Sequence, residues 1–296
     1  MKWTQILVLC LLASSCKTPV KRIMTMPVKQ DAKLTLISET TNLSHAESVA
    51  YDPNYNRLYV SVQGEQEPGD GGIATIDVEG NIIDNAFTTG LNNPKGIALS
   101  GDYIYVSDVT ELVEISRETG KVSNRYAVGD EQFLNDVAVD DQGNVYVSDM
   151  RSSSIYRLDF DKVFTKWLSS LELENPNGLL AVENDLYIAG WGLPGSENSE
   201  GNTQGRLLKL NITNQKIDKV TALPQGNLDG IQVFDDTHFL VSDWRRGTIF
   251  KISKLGDVKV FMTSEASVGD ILYLRDQKLL ALPLNRQNKV QLYKVN

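Results

Sequence analysis

The sequence predicts an all-β chain closed into a six-bladed β-propeller with four strands per blade. Three observations predict it. One phrase recurs six times, and the recurrences are spaced at the length of a four-stranded unit. The last unit also lacks a strand that an unpartnered N-terminal run can supply.

The six phrases begin at Glu47 (ESVAYDPNYNRLYVSV), Lys95 (KGIALSGDYIYVSD), Asn135 (NDVAVDDQGNVYVSD), Asn177 (NGLLAVENDLYIAG), Asp229 (DGIQVFDDTHFLVSD) and Gly269 (GDILYLRDQKLLAL). Their starts lie 48, 40, 42, 52 and 40 residues apart. Each reads as a short apolar strand, a turn rich in Asp, Asn and Gly, then an alternating strand of β-branched and aromatic residues. Further strand-like runs complete the units: ELVEIS and KVSNRYAV in the second, SSIYRLD and VFTKWL in the third, GTIFKIS and VKVFMT in the fifth. No segment shows a helical period. The sixth unit ends at KVQLYKV, its third strand. KLTLISE, near position 33, has no other partner and is expected to be the outer strand of that last blade. Closure of this kind removes the exposed ends of a linear array. Residues 33–296 then give 44 residues per blade. A β-helix or a sandwich does not account for the missing strand.

The N-terminal stretch MKWTQILVLCLLASSCK reads as a secretory signal over residues 1–15. Lys2 supplies the positive end. The apolar core over 6–13 is far shorter than the roughly 20 residues that span a bilayer. Ala13, Ser14 and Ser15 then lead to Cys16, which resembles the bacterial lipobox, whose cysteine becomes the lipidated first residue of the mature chain. Cys10 fits worse because Leu9 precedes it, and an ordinary cleaved signal peptide is the alternative. Residues 16–32 read as lipid attachment and linker. The expected location is the bacterial cell envelope, lipid-anchored to the membrane, either periplasmic or surface-exposed. Beyond Cys16 the chain has no cysteine, so the propeller holds no disulfide.

Hydrophobic residues make up 41% and charged residues 23% of the chain, an ordinary globular balance. The formal net charge of −9, with no basic run in the body, argues against nucleic acid as a partner. It suits a solvated acidic surface or cation binding, and a monomer is expected. There is no G-x-S-x-G elbow, phosphate loop or Rossmann fingerprint to support a serine hydrolase, nucleotide enzyme or dehydrogenase.

In a propeller the first strand of each blade lines the central channel, so the residues that open the six phrases converge near the axis. Here they are Glu47, Lys95, Asn135, Asn177, Asp229 and Gly269. Two carboxylates and two amides form a hard-oxygen set suited to a divalent cation, Ca²⁺ first and Mg²⁺ or Mn²⁺ next. The absence of His and Cys from the ring argues against structural zinc. Lys95 leaves three readings open: pointing outward, neutralising a carboxylate in place of a metal, or stabilising an oxyanion. The connections between second and third strands open on the same face. Two are long and Gly-rich, VQGEQEPGDGG and GWGLPGSENSEGNTQG, and the second offers Trp191 as an apolar wall. The turns DMRSSS and DWRRGT bring Arg151, Trp244, Arg245 and Arg246 to the rim. Lys95, Arg151, Trp191, Trp244 and Arg245 are therefore candidate contacts for a small-molecule substrate, anionic or sugar-derived. Asp108, Asp149 and Asp243, each closing a VSD, are expected to cap turns. His45 and His238 are expected in packing or at the surface.

The openings PNG, ND and DG on successive blades, with ES on the first, resemble the gluconolactonase/regucalcin (senescence-marker-protein) superfamily, which includes the diisopropylfluorophosphatase type. The resemblance spans roughly 33–296. It implies that Glu47, Asn177 and Asp229 are metal ligands, and that Asn135 ligates metal or contacts substrate in the same site. It also implies that Asp229 is the proton-transferring catalytic carboxylate. It assigns no role to Lys95. The implied activity is metal-dependent hydrolysis of a lactone or related ester. The competing class is a non-catalytic propeller that binds or scaffolds at the envelope, because fold alone does not give function.

Overall fold

The structure, a computed structural model, describes residues 34–65, 67–196 and 203–296. The signal segment, Cys16 and the linker lie outside the described residues.

The described chain forms six antiparallel four-stranded sheets, in sequence order except at the closure. The first blade runs Ala46–Asp52, Arg57–Val62, Gly71–Ile76 and Ile82–Leu91. The second runs Pro94–Ser100, Tyr103–Asp108, Glu111–Ser116 and Val122–Tyr126, and the third Leu134–Val139, Val145–Asp149, Ser154–Leu158 and Phe164–Ser169. The fourth holds Pro176–Val182, Asp185–Gly190, Leu207–Asn211 and Ile217–Lys219, the fifth Leu228–Asp235, His238–Asp243, Thr248–Ser253 and Val258–Thr263. The sixth is built from Leu272–Leu274, Leu279–Leu284 and Lys289–Val295, and Leu34–Thr41 closes it. That closing strand pairs antiparallel with Lys289–Val295, from Leu34 opposite Val295 to Thr41 opposite Lys289. Among the described residues the only helical pieces are two three-residue 3₁₀ turns, and no helix is long and apolar enough to cross a membrane.

Six apolar clusters hold the ring together, one at each junction between neighbouring blades. Between the sixth and first blades, Val49, Leu58, Val60 and Ile76 meet Leu279, Val290 and Leu292. Tyr105, Leu112, Val137 and Tyr156 do the same between the second and third. Each blade therefore buries both faces, which explains why its inner strands read as apolar runs rather than strict alternations.

The serine of VSD stitches these junctions. Ser148 Oγ accepts the Asp136 backbone N–H of its own blade at 2.9 Å and donates to the Asn177 carbonyl of the next at 2.6 Å. Ser242 repeats the pattern with the Gly230 N–H at 2.8 Å and the Gly269 carbonyl at 2.9 Å. The aspartate of VSD caps. Asp149 accepts the backbone N–H of Gln132 and Phe133, which enter the first strand, and those of Arg151 and Ser152, which leave the second. Asp108 and Asp243 do part of the same work. The glycine of PNG is explained by close approach: a Cβ on Gly178 would sit 1.8 Å from the Asp229 carbonyl oxygen.

Candidate axial site

The starts of the first strands meet at one end of the channel. Glu47, Lys95, Asn135, Asn177 and Asp229 together line a cavity of about 310 Å³. All five are buried. Gly269 holds the sixth place without a side chain, with the Glu47 carbonyl where its Cβ would be.

Glu47 Oε2 is buried with no hydrogen-bond partner. Burial pushes its carboxyl up to about 7, against the opposing pull of the Lys95 ammonium. Asp229 is raised well above the carboxylate range, first by burial and then by the charges of Glu47 and Asp136. Asn135 donates through Nδ2 to Asn177 Oδ1, while Asn177 Nδ2 donates to the Leu228 carbonyl at 3.1 Å. Asn135 thus keeps its own amide oxygen for a ligand. Lys95 points into the channel, which removes the outward reading. Its Nζ donates to Asn93 Oδ1 at 2.7 Å and stands 5.0 Å from the centre of the Phe133 ring. Burial lowers the Lys95 pKa, and Glu47, Asp229 and Asp108 oppose that shift.

A second carboxylate pair lies one residue further along the axis. Asp136 accepts the backbone N–H of Val137 at 2.7 Å and of Leu179 at 2.6 Å. Asp270 accepts Ser48 Oγ at 2.8 Å. Burial pushes Asp136 up to about 8 and Asp270 well above its usual range, the latter also through the Asp136 charge. Beyond them lies a second cavity, lined by Val49, Ile97, Val137 and Leu179 together with Gln232 and Asp270 itself.

Four buried carboxylates thus share the axis with one ammonium, an arrangement that calls for protons or a cation. Among the described residues no three His, Cys, Asp or Glu side chains are grouped to hold a metal ion. The donor set at the mouth is instead two carboxylates, the amide oxygen of Asn135, and the remaining lone pair of Asn177 Oδ1, which already accepts from Asn135. With Glu47 Oε2 unpartnered, these residues fit a hard divalent cation.

A further ring of lining residues comes from the position after each second strand. Gln63, Met150, Trp191, Trp244 and Asn285 all occupy it and all face the cavity, whereas Val109, its counterpart in the second blade, does not. Sequence reasoning found the two tryptophans here and missed the other three, because chemically unlike residues share the position and only the strand register reveals it. His45 and Phe133, two residues before Glu47 and Asn135, also line the cavity. His45 is therefore at the site rather than in general packing; its ring Nδ1 meets the Gly64 carbonyl at 2.8 Å. Arg151 and Arg245 are exposed and stand outside the cavity lining, over Phe133 at 4.8 Å and over Trp191 at 5.9 Å. Arg246 turns to Asp243, 3.7 Å away. Arg286, absent from the sequence expectations, lines the cavity and lies over Trp244 at 4.6 Å. It sits two residues beyond its second strand, as Arg151 and Arg245 do in theirs.

Several solved structures share this ring. A gluconolactonase from Xanthomonas campestris is 15% identical with a TM-score of 0.66, over 90% of this chain and 90% of that one. A luciferin-regenerating enzyme is 15% identical with a TM-score of 0.63, over 90% and 95%. A streptogramin B lyase is 12% identical with a TM-score of 0.64, over 89% and 98%. No protein-family model matches the chain, and no curated protein does. Gluconolactonase-type structures are thus among the neighbours, as the blade motifs lead one to expect. The likeness is one of fold, and a lyase shares it equally.

Proposed function

We propose that the chain is a divalent-cation-dependent hydrolase of a lactone or related ester, held at the bacterial cell envelope by a lipid on Cys16. The observation that carries the reading is the orphaned Glu47 Oε2, buried at the channel mouth beside Asp229, Asn135 and Asn177. Those four side chains would hold the cation through oxygen, with Ca²⁺ favoured and Mg²⁺ or Mn²⁺ accommodated. When bound, the cation supplies Lewis-acid polarisation of an ester carbonyl and charge that keeps the carboxylates ionised. Asp229, ionised and desolvated, would take a proton from the attacking water. Trp191 and Trp244, with ring centroids 6.0 Å apart, would wall the acyl group and exclude solvent. Lys95, on the cavity wall, would stabilise negative charge developing on the substrate oxygen.

One observation favours a second reading, a non-catalytic binding module: Lys95 can itself supply counter-charge to Glu47 and Asp229. Calorimetric melting separates the two. With metal dependence, millimolar Ca²⁺ raises the Tm of the wild type by about 5–10 °C, since a ligand at 100 times its Kd contributes about 2.7 kcal/mol and 1 kcal/mol is worth about 2–4 °C at this size. Glu47→Ala and Asp229→Ala fold but lose the rise. No response to Ca²⁺, Mg²⁺ or Mn²⁺ in the wild type would overturn the metalloenzyme.

A further inference from the structure

The mouth of the cavity carries cations in a repeating arrangement. Two residues beyond the second strand, the third, fifth and sixth blades each place an arginine: Arg151, Arg245 and Arg286. Each lies over an aromatic ring, Phe133, Trp191 and Trp244 respectively, at 4.8, 5.9 and 4.6 Å. Stacking on a ring fixes a guanidinium plane, and a fixed guanidinium fork suits a carboxylate. Arg286 is the member that lines the cavity, and among the described residues its guanidinium makes no ion pair. Deeper in the same cavity, Lys95 adds a second cation against Phe133. The walls between these charges are aromatic or apolar: Phe133, Met150, Trp191 and Trp244. In a chain of net charge −9, Lys95 and Arg286 bring two cations into a cavity that also holds the carboxyls of Glu47 and Asp229.

We infer that the site selects a ring-bearing acyl compound that carries a carboxylate, its ring against Trp191 and Trp244 and its carboxylate on Arg286. The inference deepens the hydrolase reading and rests on it only for the scissile bond. Arg286 is a specificity residue here, exposed enough that its preference is worth about tenfold rather than more.

The test is isothermal titration of the Ca²⁺-supplemented mature protein with coumarin-3-carboxylate and with neutral coumarin. The carboxylate should bind about tenfold more tightly. Arg286→Met, which keeps an apolar stem on Trp244 and removes the charge, should shrink that preference, read as the ratio of the two affinities in the same variant, to threefold or less. Sodium chloride at 0.5 M should act in the same direction. Trp244→Leu should weaken both ligands. Equal affinity for the two compounds, no binding of the carboxylate, or an undiminished preference in Arg286→Met would each overturn the inference. Hydrolysis of dihydrocoumarin, a neutral lactone, is followed alongside. Carboxylate preference without lactone turnover would remove the hydrolase reading and leave the ligand class standing; turnover without preference would do the reverse.

Discussion

Lys95 stands where four other blades place an oxygen donor, and it faces the same cavity as they do. The sequence placed it in the ring because the repeat fixes which residue opens each first strand. It could not fix the side chain's direction, since a lysine stem reaches either way; Asn93 and Phe133 decide that. A cation entering between Glu47 and Asp229 meets this ammonium. Lys95 makes no ion pair with either carboxylate; two unit charges at roughly 8 Å interact by about 2 kcal/mol at an effective dielectric constant of about 20, and about two-thirds of that is tenfold in affinity. Lys95→Met should therefore tighten Ca²⁺ binding at least about tenfold in titration calorimetry. An unchanged Kd would mean that the ammonium moves away on binding and sets no limit on the metal. Arg286 shows the opposite case of legibility. The sixth blade has no VSD to mark the end of its second strand, so the offset that Arg286 shares with Arg151 and Arg245 was hidden until Leu284 was seen to end it.

Blade by blade, the strand order was legible because the period of the repeat and the missing sixth strand both follow from one phrase. The closing strand supports this reading directly, with Leu34–Thr41 antiparallel to Lys289–Val295 and one register shift between Leu36 and Ser38. Removing residues 34–41 should strip the outer edge from the last blade and uncover Val290 and Leu292, which pack in the junction with the first blade. A loss of several kcal/mol lowers the Tm by about 10 °C or more in a domain of this size; a variant that melts like the wild type would show that closure is dispensable. The seams between blades were less legible. VSD reads as a strand end with a cap, and nothing in it announces that the serine bridges two sheets. Ser148→Ala leaves the Asp136 N–H and the Asn177 carbonyl without their 2.9 and 2.6 Å partners. The cost should be about 1–3 kcal/mol, read as a lower urea midpoint with unchanged slope. Because Asn177 is one of the two residues joined, calcium affinity should fall with it, whereas a purely local packing defect would leave that affinity alone.

Across the whole molecule, the axis concentrates what the surface disperses. Glu47, Asp136, Asp229 and Asp270 are all buried there, with Lys95 as the one facing ammonium among the described residues, and burial raises every one of the four carboxyls. A carboxyl whose pKa is higher folded than unfolded holds its proton more tightly in the native state. Between the two values the folded protein binds more protons, so stability is fully present below the unfolded pKa and is lost as pH rises through the folded one. For Glu47 that window runs from 4.5 to about 7. For Asp136 it runs from 3.8 to about 8. The metal-free protein should therefore lose stability steadily from pH 5 to pH 8, opposite to a protein whose carboxylates are paired with surface cations. A tenfold difference in proton affinity between the folded and unfolded chain corresponds to about 1.4 kcal/mol, so the Tm should fall by at least about 5 °C over that range. Calcium competes with the protons for Glu47 and Asp229, so its affinity should climb through the same range and its binding should release protons. Saturating calcium should accordingly flatten the profile. Glu47→Gln, which keeps the volume and removes one of the four titrating groups, should make it shallower without metal, leaving the fall due to Asp136. Melting curves in matched buffers with EDTA or 5 mM calcium decide the matter. A metal-free profile that is level from pH 5 to pH 8 would mean that the axial carboxylates are already compensated, with Lys95 and ordered water sufficient for the task.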